Sequence, residues 1–219
     1  MSEGHLKTLY PFLHGGPGGA ELELTLARSV EDKARESRAT NERFFASQAK
    51  ELVAAARAIA QCYRGGGRLF TMGNGGSSCD AAHVAVEFQH PVTAGRPALA
   101  AIDLCAQTAM VSAVANDVGY EHVFVRQLLA LGRRGDALLG ISTSGNSANL
   151  IAAFAKAREM GIVTIGLAGA GGGRMKSSGL VEHCLVVPGD SIHRTQETQV
   201  AAYHVIWDLV HELLAHEVR

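Results

Sequence analysis

Apolar positions in the first third of the chain recur at three-to-four spacing. Leu22, Leu24, Leu26 and Val30 lead into a charged section, Glu31 to Arg43, and Phe44, Phe45, Leu52, Val53, Ala56 and Ile59 carry the pattern on. This predicts helix from Glu21 to about Tyr63, as two helices or one long bent one, stopped by Gly65-Gly66-Gly67. The middle section mixes both charge signs and is expected to be exposed or packed on another subunit. Beyond Arg68 the period changes. Short apolar runs at Arg68–Met72, Ala98–Ile102, Ala137–Ser142, Val163–Ala168 and His183–Val187 read as buried strands. Helical spacing fills the gaps, at about 77–90, 105–115, 120–132, 147–159 and 193–216, the last with Val200, Val205, Ile206, Leu209, Val210 and Leu213 as its stripe. Strands alternating with helices predict an α/β fold: a five-stranded parallel sheet flanked by helices, with an N-terminal helical segment. Residues 1–20 carry Gly15-Gly16-Pro17-Gly18-Gly19 without periodicity and read as a flexible tail. Residues 21–66 are then the helical segment and 67–219 the α/β domain.

Composition narrows the function classes. With 47% hydrophobic and 19% charged residues in 219, the chain is long enough for a substantial core and reads as an ordinary globule. A net charge of -1 leaves no footprint for nucleic acid or an anionic membrane. No run approaches the ~18 apolar residues of a membrane span, and the start lacks a charged-then-apolar leader. Cys62, Cys79, Cys105 and Cys184 show no paired spacing, so neither a zinc knuckle nor a disulfide framework is expected, and a cytoplasmic setting is the default. Cys79 is read as a packing residue.

Two loops carry the candidate chemistry. Gly73-Asn74-Gly75-Gly76-Ser77-Ser78 follows a strand and opens a helix, an arrangement that aims backbone N–H groups and a helix N-terminus at an anion. Ser77 and Ser78 either cap that helix or add hydroxyl donors. Gly140-Ile141-Ser142-Thr143-Ser144-Gly145-Asn146-Ser147 repeats the arrangement with four hydroxyl residues, as a phosphate clamp or as a turn capped by Ser147. Two such loops at strand carboxyl ends favour phosphate, in the place where parallel sheets bind ligands. No GxxxxGK[ST] or complete GxGxxG fingerprint is present, which disfavours nucleotide hydrolysis and dinucleotide binding. His83 and Glu87, four apart, share a helix face. On the last helix Gln196 and His204 share another, among Glu197 and Gln199; spacing alone leaves such polar residues solvated. If the two helices meet, His83, Glu87, Gln196 and His204 form an acid–base group or a site for a borderline cation such as zinc.

These motifs together resemble one family. The Gly-Asn-Gly-Gly loop, His83-x-x-x-Glu87, Arg96-Pro97, Ala115-Asn116-Asp117, the Gly-Ile-Ser-Thr-Ser-Gly-Asn-Ser loop, Gly171-Gly172-Gly173-Arg174-Met175 and Arg194-x-Gln196-Glu197 are similar in order and spacing to the sedoheptulose 7-phosphate (phosphoheptose) isomerases of the sugar isomerase (SIS) superfamily. The likeness runs from about Arg68 to Leu214. It implies a five-stranded parallel, flavodoxin-like SIS fold, a homotetramer with active sites between subunits, and a phosphorylated seven-carbon sugar as substrate. It implies phosphate binding by Ser77, Ser142, Thr143, Ser144 and Ser147, and sugar contacts by Asn74, Gly75, Asp117 and Gln196. It also implies one zinc per subunit on His83, Glu87, Gln196 and His204, with Glu87 and His204 as proton carriers. A relative that binds the replication initiator DnaA shares the loops and lacks counterparts of Glu87 and His204, so their presence here argues for catalysis. His90-Pro91 replaces the family's Gly-Arg, and His193 replaces an Asp. Those departures keep two alternatives open: an isomerase for another phosphosugar, and a non-catalytic phosphosugar-binding adaptor.

Overall fold

The computed structural model describes residues 19–216, so the expected tail falls almost wholly outside the described residues. One helix, α1 (Ala20–Arg64), replaces the alternative of two. Then follow β1 (Leu69–Gly73), α2 (Gly76–Gln89), β2 (Ala101–Asp103), α3 (Thr108–Asp117), a 3-10 turn (Tyr120–His122) and α4 (Val123–Leu131). The chain continues through β3 (Ala137–Ser142), α5 (Ala148–Met160), β4 (Val163–Ala168), α6 (Gly173–Ser177), β5 (His183–Val186) and α7 (Ile192–His216). Contacts divide the chain after Ala39. In the first unit Leu22, Leu24, Leu26 and Val30 are exposed, as is the charged section as far as Glu36.

From Thr40 on, the five strands form a fully parallel sheet in the order β2-β1-β3-β4-β5. Alternate strand residues point to opposite faces, and each face has its own core. Leu69, Leu139, Ile141, Ile165 and Leu167 pack with Phe44, Leu52 and Ile59 of α1, Val84 and Phe88 of α2, and Ile206, Trp207 and Val210 of α7. Phe70, Met72 and Leu138 pack with Phe124 and Leu128 of α4, Leu150 and Phe154 of α5, and Met175 of α6. The order reverses between β1 and β3, so the two glycine- and serine-rich loops leave the sheet side by side at its carboxyl end.

Several boundaries depart from the sequence reading, and the helix expected at about 105–115 runs over Thr108–Asp117. β2 starts at Ala101 instead of Ala98, because the Leu99 N–H donates to the Phe88 carbonyl at 2.8 Å and ties that run to the end of α2. The helix expected at 120–132 begins as a 3-10 turn, and the short α6 was not anticipated; Gly171, Gly172 and Gly173, all at positive φ, interrupt any period there.

One packed residue has a pH signature. His211 is 4% exposed, and neither ring nitrogen has a hydrogen-bond partner. Its ring stacks on Phe88 and meets Trp207 edge-on, at centroid distances of 6.1 and 4.9 Å. Burial, helped by Arg96 and opposed by Asp208, holds its pKa below the usual 6.5. The unfolded chain therefore binds that proton more readily. The resulting stability is fully present above 6.5 and is lost as pH falls through it towards the lowered folded value. His211→Phe is expected to flatten this acid decline and to raise the melting temperature most near pH 5. Melting curves across pH check it, and an unchanged acid slope would rule His211 out as its source.

Candidate active site

The first loop carries β1 into α2. Gly75, at φ 55, precedes the helix, and no side chain caps it: the Ser78 hydroxyl turns back to the Gly75 carbonyl at 2.7 Å. The first turn of α2 closes on the loop through backbone bonds, from Ser77 N–H to the Asn74 carbonyl and from Ser78 N–H to the Gly75 carbonyl, both at 3.0 Å. Asn74 is tied to the first turn of α5 by a reciprocal amide pair with Asn149, both bonds at 2.9 Å. The Tyr120 hydroxyl donates to the same Asn74 oxygen at 3.0 Å. A hollow of about 120 Å³ opens here, lined by Asn74, Gly75, Ser78, Cys105 and Tyr120 among others.

The second loop gathers hydroxyls on one point. Ser142 Oγ lies 3.2 Å from Ser147 Oγ and 3.5 Å from Ser144 Oγ, and it accepts the Gly145 N–H at 3.2 Å. Ser147 stands at the N-cap of α5 but makes no capping bond, so the capped-turn reading does not hold. Gly145 sits at φ +65 with the Gly172 carbonyl so close that a Cβ there would lie 2.2 Å from its oxygen. The 171–175 segment clasps the loop from behind: Met175 N donates to the Gly145 carbonyl and Arg174 N to Asn146 Oδ1, both at 2.9 Å.

The helices α2 and α7 do meet, and they bring ionisable groups together. Ligand atoms of His83, Glu87 and His204 all lie within 4.8 Å of one another. Glu87 Oε1 is 3.2 Å from His83 Nε2, and the Tyr203 hydroxyl is 2.7 Å from His83 Nδ1. The His83 and His204 rings sit edge to face at 5.2 Å. The Glu87 backbone carbonyl accepts the Trp207 indole N–H at 2.9 Å, which anchors the end of α2 on α7. Gln196 packs over Gly76 and donates to Asp80 Oδ2 at 3.3 Å. Burial pushes the Asp80 carboxyl up, against the opposing pull of the Gln196 amide and His83. Burial also raises the Tyr203 phenol well above its usual range, with Asp80 and Glu87 adding to the effect. Two imidazoles and a carboxylate converging on a half-open point fit a borderline divalent cation.

Comparison with known proteins identifies the family. The SIS domain family matches residues 34–169. A phosphoheptose isomerase of Roseiflexus sp. strain RS-1 is 42% identical over 193 residues, covering 88% of this chain and 97% of that one. The chain belongs to the phosphoheptose isomerase family. A family member from Desulfovibrio desulfuricans is 45% identical over 177 residues, covering 80% and 83% of the two chains. The solved phosphoheptose isomerase of Neisseria gonorrhoeae superposes with a TM-score of 0.78 at 36% identity, covering 84% of this chain and 98% of its own. As a member of this family the protein is an isomerase with the five-stranded parallel SIS fold.

The residues singled out from the sequence fall into groups. Ser142, Ser144 and Ser147 converge, with Thr143 in the same turn; Asn74 and Gly75 sit in the adjoining loop and Ser77 in the first turn of α2. His83, Glu87 and His204 converge, while the Gln196 amide group is engaged with Asp80. Asp117 is exposed at the end of α3 and accepts from the Asn116 side chain at 2.8 Å. Gln199, expected to be solvated, is fully buried and donates to the Leu167 carbonyl at 3.0 Å. Cys79 is exposed and packs on nothing central, whereas burial pushes Cys62 and Cys105 up to about 12. Sequence reasoning missed Asp80, Asn149, Tyr120 and Tyr203. Asp80 was legible, three residues before His83 on the same face; the other three gave no periodic signal. A hollow of about 430 Å³ at the amino ends of the strands, beside Arg68, Arg133 and Arg134, stands apart from all of these groups. Chemistry in parallel sheets lies at the carboxyl ends, and volume does not override that.

Proposed function

We propose that this protein converts sedoheptulose 7-phosphate to D-glycero-D-manno-heptose 7-phosphate by aldose–ketose isomerisation. The observation that carries the reading is the convergence of His83, Glu87 and His204 where α2 and α7 meet. A phosphosugar-binding adaptor has no need of such a group. The phosphate is held by the hydroxyls of Ser77, Ser142, Thr143, Ser144 and Ser147 and by backbone N–H groups at the starts of α2 and α5. Asn74, Gly75, Asp117 and Gln196 line the sugar. Along α2, Ser77 and His83 are separated by about 9 Å of helix rise, a span suited to an extended sugar phosphate. Anchoring the phosphate fixes C1 and C2 against the acid–base pair, and such positioning supplies several kcal/mol of the barrier. Glu87 takes a proton from one of these carbons, a cis-enediol forms, and His204 serves the other position.

His83, Glu87 and His204 would hold one zinc per subunit, with the Gln196 amide oxygen completing the set. When bound, the cation polarises the sugar carbonyl and stabilises charge on its oxygens. A homotetramer with sites between subunits is part of this reading; the exposed Leu22, Leu24, Leu26 and Val30 support it, being apolar surface for a second copy to cover. No described helix is long and apolar enough to cross a membrane. We place the enzyme in the cytoplasm, supplying heptose for surface polysaccharide.

Purified protein mixed with sedoheptulose 7-phosphate, chelated and then with zinc restored, is expected to generate new anomeric proton signals in NMR only in the restored sample. Turnover indifferent to chelation removes the metal and keeps the isomerase. A folded, tetrameric protein without turnover overturns the substrate, and His193 and Pro91 are then the positions to revert.

A further inference from the structure

His83 makes two side-chain hydrogen bonds, and they are chemically linked. Its Nδ1 lies 2.7 Å from the Tyr203 hydroxyl and its Nε2 lies 3.2 Å from Glu87 Oε1. A neutral imidazole carries one proton on its two nitrogens, so the partner at one nitrogen selects what the other can do. With no cation present, Tyr203 donates to Nδ1 and Nε2–H donates to the Glu87 carboxylate. A cation needs a lone pair at Nε2, which moves the ring proton to Nδ1. Nδ1–H then requires an acceptor.

We infer that the Tyr203 hydroxyl is a positioning group for His83: it donates to Nδ1 in the metal-free protein and accepts from Nδ1–H when Nε2 ligates a cation. The inference rests on the metal reading proposed above. A hydroxyl serves both states because it rotates between donating and accepting. A carboxylate or a backbone carbonyl only accepts, and fixes a single tautomer. The exchange balances: one proton leaves Nε2, one is taken up at Nδ1, and the ring stays neutral throughout.

Tyr203 is well placed to hold this position. It is 3% exposed, its ring meets His83 edge-on at 5.4 Å, and it packs on the His204 ring at 4.8 Å. One residue on α7 thus braces His83 on α2 while its chain neighbour His204 completes the acid–base group. Side chains that orient a ligating histidine through its second nitrogen govern metal affinity by about 10- to 100-fold.

Tyr203→Phe keeps the packed ring and removes only the hydroxyl. Two readouts besides turnover test the inference. In metal-free full-length protein, imidazole 15N–1H correlation spectra, with His83 assigned by its loss in His83→Gln, should show a single Nε2–H tautomer in the wild type and a tautomer mixture in Tyr203→Phe. In competition with a chromophoric chelator, Tyr203→Phe should bind Zn2+ about 10- to 100-fold more weakly while melting near the wild-type temperature. Equal zinc affinity in the two proteins overturns the inference. If the wild type binds no zinc, the metal reading fails. The metal-free spectra then decide alone: a tautomer shift in the variant upholds the hydroxyl's hold on His83, and identical spectra overturn it.

Discussion

Glu87→Gln is expected to lower kcat by about 10²- to 10⁴-fold, the loss typical when a positioned acid–base group is removed. The amide matches the carboxylate in shape, so the contact with His83 and the Trp207 bond to the Glu87 backbone should persist. The serine loops lie towards the other end of α2, with Ser77 about 15 Å of helix rise away. A phosphosugar should therefore bind the variant nearly as well as the wild type. Calorimetry reads the binding and the NMR assay reads the rate. Both belong in excess zinc with bound metal quantified, because Glu87 is also a proposed ligand. His204→Ala, in the same pair of assays, should show the same split. A near-normal rate in either variant would remove that residue from the proton-transfer role.

The second large effect concerns the clamp. Gly145→Ala places a Cβ 2.2 Å from the Gly172 oxygen and 2.6 Å from its carbonyl carbon, at a φ of +65 that L residues avoid. Both clashing atoms are backbone, and neither swings aside as a side chain does. Backbone strain alone costs about 1–3 kcal/mol, and the overlap adds to it. At roughly 2–4 °C per kcal/mol for a chain of this size, melting should fall by several degrees. The damage is also functional: displacing Gly145 breaks its bonds to Ser142 and Met175 and spreads the hydroxyls, so KM for the phosphosugar should rise. Gly95→Ala provides the control, with φ +83 and nothing within 4 Å of the added Cβ. If the two variants melt alike and KM is unchanged in Gly145→Ala, the clasp between the loops does not shape the phosphate site.

Much of this architecture was readable along the chain. Strands at β1, β3, β4 and β5 stood out because strands covered on both faces become uninterrupted apolar runs, and the intervening helices kept their own period. The start of β2 was drawn early because Ala98 to Ala100 are just as apolar; the backbone bonds show that Leu99 turns to the Phe88 carbonyl, while the Ala100 carbonyl already accepts the Leu69 N–H of β1. The serine loop was legible as a hydroxyl cluster, but its alternatives were not separable. Whether Ser147 caps α5 or faces Ser142 depends on one side-chain torsion, which composition does not encode.

The proposed catalytic group divides along the same line. His83 with Glu87, and Gln196 with His204, were determined by the sequence, because helical spacing places each pair on one face. That α2 and α7 lie against each other was decided by tertiary structure alone. Phe88, Trp207 and Val210 close one face of the sheet core, and this packing sets the helices' approach and rotation. Spacing specifies a face but not what the face meets. Hence Gln199, on the same helix as Gln196 and His204, could read as solvated and yet lie fully buried against the Leu167 carbonyl. For the same reason Tyr203, adjacent to His204 and unremarkable in sequence, became the partner of His83 only when two helices 120 residues apart were brought together.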